Sequence, residues 1–388
     1  MREAVIVDYL RTPISKADPQ KDFYKNMRAD DLCALVIRNL VERTGVRAEE
    51  IEECIIGCSN QGGEQWTYGG RIVSLMAGLP FSVAALGVER QGASSLESVS
   101  IAAMQIVQGY ADITVAAGME HMLHIPVGSG VDPSLQFVNM KSFDAILALS
   151  MGLSAEKLAH DFGISRKEMD KFSLQSHMRA VKARKEGFFK EEILPVETIL
   201  DDGTKLVVDY DQNVREDTTL EKIGALPPAF KEDGLITAGN STSLNDGAAA
   251  AILMSKEKAE EYNLKPLATV RSMGWAGVDP TIFGYGDIPA CRKVLERAKL
   301  NVGEIDFWEI NEIFAVIVLA AIKELGLDQK RVNVKGGAIA LGHPTGMSGV
   351  RIVGTLARIL GKENGRYGIA SSAAGGGQGQ AILLEKEA

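Results

Sequence analysis

The chain of 388 residues is poor in cysteine, in aromatic side chains and in net positive charge. Its four cysteines, Cys33, Cys54, Cys58 and Cys291, keep no metal-binding rhythm and read as no disulfide framework. Cys54 and Cys58 lie in one apolar, strand-like run with no second ligand pair nearby, so both read as structural thiols and no metal is expected. Aromatic residues make up only 6%. A net charge of −9 argues against general binding to nucleic acid or to an anionic membrane surface. A polyanionic ligand would need a local basic patch. No apolar run is long enough to span a bilayer. The run Ala4-Val5-Ile6-Val7 is cut short by Asp8 and Arg11, which is too short for a signal peptide, so a reducing cytoplasm is the expected compartment.

What is present is glycine, 40 residues of it, within an ordinary soluble composition of 46% hydrophobic and 24% charged residues. Strand-like runs at Ala4–Val7, Ile51–Cys58, Ala84–Val88 and Ile113–Gly118 alternate with helical spacing at Asp30–Arg43, Gly70–Gly78 and Ala93–Gly109. That alternation predicts parallel βαβ units in a layered α/β fold. From about His121 to Asn240 the texture becomes more charged, helical over Glu156–Lys185 and irregular over Asp201–Leu226, as in an insertion lying over the core. Core texture returns with a strand at Ala248–Met254. Further on come helical spacing at Ile288–Lys299, Glu312–Leu325 and Ser348–Leu360, and strands at Phe307–Ile310, Tyr367–Ser371 and Gln380–Leu384. Each half carries a small-residue elbow, Arg90-Gln91-Gly92-Ala93-Ser94-Ser95 and Ser371-Ser372-Ala373-Ala374-Gly375-Gly376-Gly377, which hints at an internal duplication.

The most informative segment is Gly336-Gly337-Ala338-Ile339-Ala340-Leu341-Gly342-His343-Pro344-Thr345-Gly346. Glycines on both sides of His343 allow a ligand close to the backbone, and a histidine there can donate to a developing oxyanion. This segment resembles the histidine signature of the thiolase family. Asn311-Glu312-Ile313-Phe314-Ala315 is similar to that family's NEAFA motif, with Ile for the usual Ala. Met151-Gly152-Leu153-Ser154-Ala155-Glu156, Arg215-Glu216-Asp217-Thr218-Thr219 and Thr237-Ala238-Gly239-Asn240 through Ala248 also resemble family segments. So does Gly375-Gly376-Gly377-Gln378-Gly379. The resemblance is colinear from Arg11-Thr12-Pro13-Ile14 to the last strand.

The resemblance implies two similar α/β halves in a five-layered αβαβα core. Residues 1–120 with 248–270 would form the first half, 271–388 the second, and 121–247 an inserted loop domain that holds coenzyme A. It implies a homodimer or a dimer of dimers, with a small zinc-bearing OB-fold protein as a possible partner. It implies coenzyme A and acyl-CoA as substrates, with no covalently bound cofactor. The family reaction, acyl transfer that makes or cleaves 3-oxoacyl-CoA, uses one cysteine as nucleophile and another as base. Here Gly92 stands at the nucleophile position and Ala373 at the base position. His343 and Asn311 match one oxyanion site, and Gly375 matches the glycine of the other. Met151, Arg215, Thr242, Ser243 and Phe314 match the coenzyme A contacts, while Phe283 replaces a methionine common in the acyl pocket. Ser94 and Ser95 read as N-cap and first-turn residues, and Cys291 as a helix residue. His121, His124, His160 and His177 read as surface or packing residues. Three functions follow from the resemblance: a thiolase silenced at two positions, a non-catalytic acyl-CoA-binding subunit, or a thiol-independent retro-aldolase.

Overall fold

A computed structural model describes residues 2–387. The strands before the insertion are β1 (Ala4–Arg11), β2 (Ser15–Lys16), β3 (Glu53–Gly57), β4 (Ala84–Val88) and β5 (Ile113–His121). Within it, β6 (Val196–Ile199) and β7 (Lys205–Val208) form a separate hairpin. β8 (Asn245–Ser255), β9 (Ala268–Gly277), β10 (Phe307–Ile310), β11 (Tyr367–Ala374) and β12 (Gln378–Lys386) complete the set. The helices that matter here are α1 (Ala29–Thr44), α2 (Ser94–Val107), α3 (Met151–Phe162), α4 (Arg166–Lys185), α5 (Asp287–Ala298), α6 (Ala315–Leu325) and α7 (Ser348–Lys362).

The main sheet path runs β10-β11-β12-β9-β1-β8-β5-β3-β4, with β2 on β8. It is mixed rather than parallel. Only β4-β3-β5 and β10-β11 pair in parallel, where helices carry the crossover. β8, β9 and β12 return antiparallel. β1 and β9 join over just Val5↔Thr269 and Ile6↔Ala268.

Side-chain alternation along the strands builds the layers. Leu96 and Val99 of α2 pack with Val350 and Val353 of α7, between Ile6 and Leu253 of one half and Ile382 and Leu384 of the other. The opposite strand faces are covered by α1 through Leu32 and Val36, and by α5 and α6 through Val294 and Val316. The order is therefore α, β, α, β, α. A Cβ at Gly349 would overlap the backbone of Leu96, so glycine sets how closely the two central helices approach.

The inserted segment is tied back by a buried ion network. Arg11 donates to Glu192 at 2.8 Å and to both oxygens of Asp211 at 2.6 and 2.8 Å. The single helical stretch expected over 156–185 is two helices. Gly163 ends α3 with φ 60°, and Ser165 restarts the chain with a capping box to Glu168. No helix among the described residues is long and apolar enough to cross a membrane.

Candidate functional site

The elbow between β4 and α2 is a strained turn: Gln91 takes φ 46°, a region non-glycine residues rarely occupy. Ser94 Oγ accepts from Arg90 N at 2.9 Å and donates to Gln91 O at 2.6 Å, which fastens the turn. Ser95 Oγ accepts from Val350 N at 3.0 Å. Both hydroxyls are committed to backbone and neither faces a base.

Gly92 is buried at the bottom of this turn. A Cβ there would lie 3.1 Å from His343 Nε2 and 3.4 Å from the carbonyl of Ala373, so the three positions that the motifs single out meet at one point. His343 is held by its backbone N–H, which donates to Asn245 Oδ1 at 2.9 Å, and by Ser348 Oγ, 2.7 Å from Nδ1. Burial, and secondarily the positive Arg351, push its pKa down to about 3, so the imidazole is neutral near pH 7. Asn311 Nδ2 lies 3.3 Å from His343 Nδ1 and donates to Ser372 Oγ at 3.1 Å. Asn311 Oδ1 is buried with no partner among the described residues, which suits it to hold a water.

The loop carrying His343 is pinned by two buried glutamates. Glu312 accepts from Ser176 Oγ at 2.6 Å, Asn333 Nδ2 at 2.8 Å and Ile339 N at 3.1 Å. Glu120 accepts from Thr345 Oγ1 at 2.9 Å and Gly346 N at 2.8 Å, and from Ser59 N at 2.8 Å across the cleft. Sequence reasoning missed Glu120, Ser348, Ser372 and Asn245 as parts of the site. The only available signal was adjacency: Ser348 lies five residues after His343, and Ser372 directly precedes Ala373.

Beside Gly92 opens a cleft of about 620 Å³, lined by Gln91, Glu120, Met151, Thr345 and Gly375 among others. A Cβ at Gly375 would come within 3.2 Å of Met151 Cε, so glycine keeps this cleft open. A second groove of about 240 Å³ carries Lys16, Arg215, Lys222, His177 and Ser243. It gathers three cations on an acidic chain, with Asp217 bound to Lys222 at 2.8 Å. The expected ligand contacts thus divide. Met151 belongs to the cleft, while Arg215 and Ser243 belong to the groove. Thr242 Oγ1 donates to Ala338 O at 2.9 Å, and Phe314 packs edge-on against Phe230 and Phe283, so neither lines the cleft or the groove.

All four cysteines are buried. Burial raises the Cys54 thiol to about 12 and pushes Cys291 up as well, the reverse of an activated thiolate. Residues 4–257 match the family profile "Thiolase, N-terminal domain", and residues 264–386 match "Thiolase, C-terminal domain". The chain belongs to the thiolase family.

A 3-ketoacyl-CoA thiolase of Marinobacter nauticus is 42% identical over 390 residues, covering 99% of this chain and 98% of that protein. Human mitochondrial 3-ketoacyl-CoA thiolase superposes with a TM-score of 0.90 at 34% identity, over 100% of this chain and 99% of that one. The same human thiolase in complex with CoA gives a TM-score of 0.89 at 34% identity, over 100% and 98% of the two chains. Gly92 and Ala373 therefore sit within a thiolase framework.

Proposed function

We propose that this chain binds acyl-CoA in a thiolase-type site and polarises the thioester carbonyl, but does not carry an acyl group covalently. The observation behind this is the meeting of His343, Asn311 and Ala373 around Gly92 with no thiol among them. The relatives, 3-ketoacyl-CoA thiolases of which one is solved in complex with CoA, support 3-oxoacyl-CoA as the substrate type and coenzyme A as the ligand. The cations Lys16, Arg215 and Lys222 would receive the phosphates of coenzyme A, over the inserted segment 121–247. The acyl end would lie by Met151. One carbonyl oxygen would be polarised by His343 and a water on Asn311, the other by backbone N–H groups of Gly92 and Gly375. Acyl transfer that cleaves or forms 3-oxoacyl-CoA is the chemistry this framework suits, and Gly92 and Ala373 interrupt it by supplying neither nucleophile nor base. Calorimetry with acetyl-CoA tests the binding. Saturable binding weakened several-fold by Arg215→Ala supports it, and no heat beyond dilution overturns it.

One observation favours a second reading, thiol-independent retro-aldol cleavage. Ser348 Oγ lies 3.0 Å from Pro344 O as well as 2.7 Å from His343 Nδ1. When the hydroxyl donates to Pro344 O, Nδ1–H donates to Ser348, and Nε2 turns a lone pair toward the space above Gly92. His343 would then take the 3-hydroxyl proton as the C2–C3 bond breaks, releasing the aldehyde or ketone, and return that proton to C2 of the acyl-CoA enolate left behind. Release of an aldehyde or ketone from 3-hydroxyacyl-CoA, lost on changing His343, would select this reading.

A homodimer is the assembly we propose. β4 is the outer strand of its half-sheet. Phe81, 88% exposed, and Trp66, Tyr68 and Leu86, all exposed, lie on or near it. An uncovered strand edge with apolar neighbours suits pairing with a second copy. Analytical ultracentrifugation should find a dimer at micromolar concentration, and a monomer there would refute this.

A further inference from the structure

Outside the cleft, Asp22, His121 and Asp246 form a buried cluster. Asp22 follows β2, His121 ends β5 and Asp246 is the second residue of β8. Asp22 Oδ1 is satisfied by Ser15 Oγ at 2.6 Å and Tyr24 N at 2.7 Å. Asp246 Oδ1 accepts from Leu123 N at 3.3 Å. The Oδ2 atoms of both aspartates are buried with no hydrogen-bond partner among the described residues. No lysine or arginine pairs with either aspartate there, and the one cationic type within ion-pair reach is His121.

The histidine is oriented as a ligand. Its Nε2 lies 3.1 Å from Tyr24 O and donates to it, which leaves the Nδ1 lone pair facing Asp246 Oδ1 at 3.2 Å. A backbone carbonyl on one ring nitrogen is the arrangement that prepares the other nitrogen for a metal. The backbone N–H of His124 approaches Nδ1 at 3.3 Å, a long contact that an ion would displace. Asp22 Oδ2 lies 4.0 Å from the other edge of the ring. Ligand atoms from all three residues lie within 4.8 Å of one another. Electron-pair donors gathered this closely and kept dry repel unless a proton or a metal cation sits among them.

We infer that Asp22, His121 and Asp246 form a site for a divalent transition metal. One imidazole and two carboxylates suit Zn²⁺, Co²⁺ or Mn²⁺. The ion would tie β2, β5 and β8 together beneath the His343 loop, because Asn245, which holds His343 N, adjoins Asp246. Its role is to stiffen that floor and not to touch substrate. The neighbouring pair of His124 and Glu64 already makes a 3.1 Å hydrogen bond and needs no ion.

The test uses the full chain purified without chelator, then stripped and titrated with Co²⁺. Elemental analysis should find one transition-metal ion per chain. Co²⁺ should give a saturable visible absorption band and raise the melting temperature. Asp22→Asn should abolish the band, and Glu64→Gln should keep it. If Asp22→Asn does not fold, His121→Gln serves as the ligand variant, and the unaltered chain with Glu64→Gln still decides the matter. No retained metal and no band in the unaltered chain would overturn the site and leave a shared proton in its place. Loss of the band in Glu64→Gln would overturn the assignment of ligands.

Discussion

Consider the double change Gly92→Cys and Ala373→Cys. Position 92 is not in the left-handed region, so a side chain there strains no backbone angle. Its Cβ would stand 3.1 Å from His343 Nε2, which must yield by a few tenths of an ångström. Such crowding costs about 1–3 kcal/mol, and loss of glycine freedom in the unfolded chain offsets about 0.4–1 kcal/mol of that. The protein should therefore fold. The new thiol would sit before the N-terminus of α2, where the helix dipole favours a thiolate. Removing a nucleophile from a working hydrolase costs roughly a millionfold, so restoring one beside the proposed oxyanion donors should raise thiolysis of a 3-oxoacyl-CoA by at least about ten-thousandfold. Gly92→Cys alone should form an acyl adduct with acetyl-CoA but turn over slowly, because the base position stays empty of a thiol. The assays are coenzyme A-dependent cleavage and intact-protein mass. A folded double variant that binds acetyl-CoA, yet gains neither adduct nor activity, would refute the reasoning.

Other expectations follow from the same geometry. In the restored background, Asn311→Ala should lower kcat by roughly 100- to 1,000-fold while leaving the Kd for coenzyme A unchanged, as measured by steady-state kinetics and calorimetry. His343 has its pKa depressed to about 3 from 6.5, so it contributes stability above pH 6.5 that is lost as pH falls toward 3. Comparing urea midpoints of the unaltered chain and His343→Asn should show this as roughly 2 kcal/mol of extra loss between pH 7 and pH 5. Glu312→Gln puts an amide N–H₂ against buried donors and should cost about 1–3 kcal/mol in urea denaturation. Arg11→Met leaves Glu192 and Asp211 buried without their cation and should cost about 3–5 kcal/mol. An unchanged urea midpoint in either variant would count against the corresponding network.

The layered fold was legible because the central helices begin at glycine- and serine-rich elbows and the strands beside them are short apolar runs. The thiolase motifs placed His343, Asn311, Gly92 and Ala373 in one site before any distance was known, and their sequence order is preserved in the fold. Three things were not legible, each for a physical reason. β9 goes unrecognised in the sequence because Arg271 breaks its apolar run on the face it exposes. Helix α6 begins at Ala315, not at Glu312, because the Glu312 carboxylate is turned inward onto Ser176, Asn333 and Ile339, and its chain runs extended through Phe314. The supporting groups Glu120 and Ser372 come from distant segments that only the packing brings to the histidine loop, while Ser348, five residues after His343, looks ordinary in sequence. The pairing of Asp22 with Asp246 across 224 positions is of the same kind.

If the site holds acyl-CoA without taking up the acyl group, the thioester should survive on the protein. This is tested most directly by incubating the unaltered protein with a saturating 3-oxoacyl-CoA and coenzyme A, then following the thioester and the intact protein by mass spectrometry. The protein should stay unmodified and the thioester unconsumed. An acylated chain, or shortened acyl-CoA products, would contradict this and show that another residue does the work of the missing thiol.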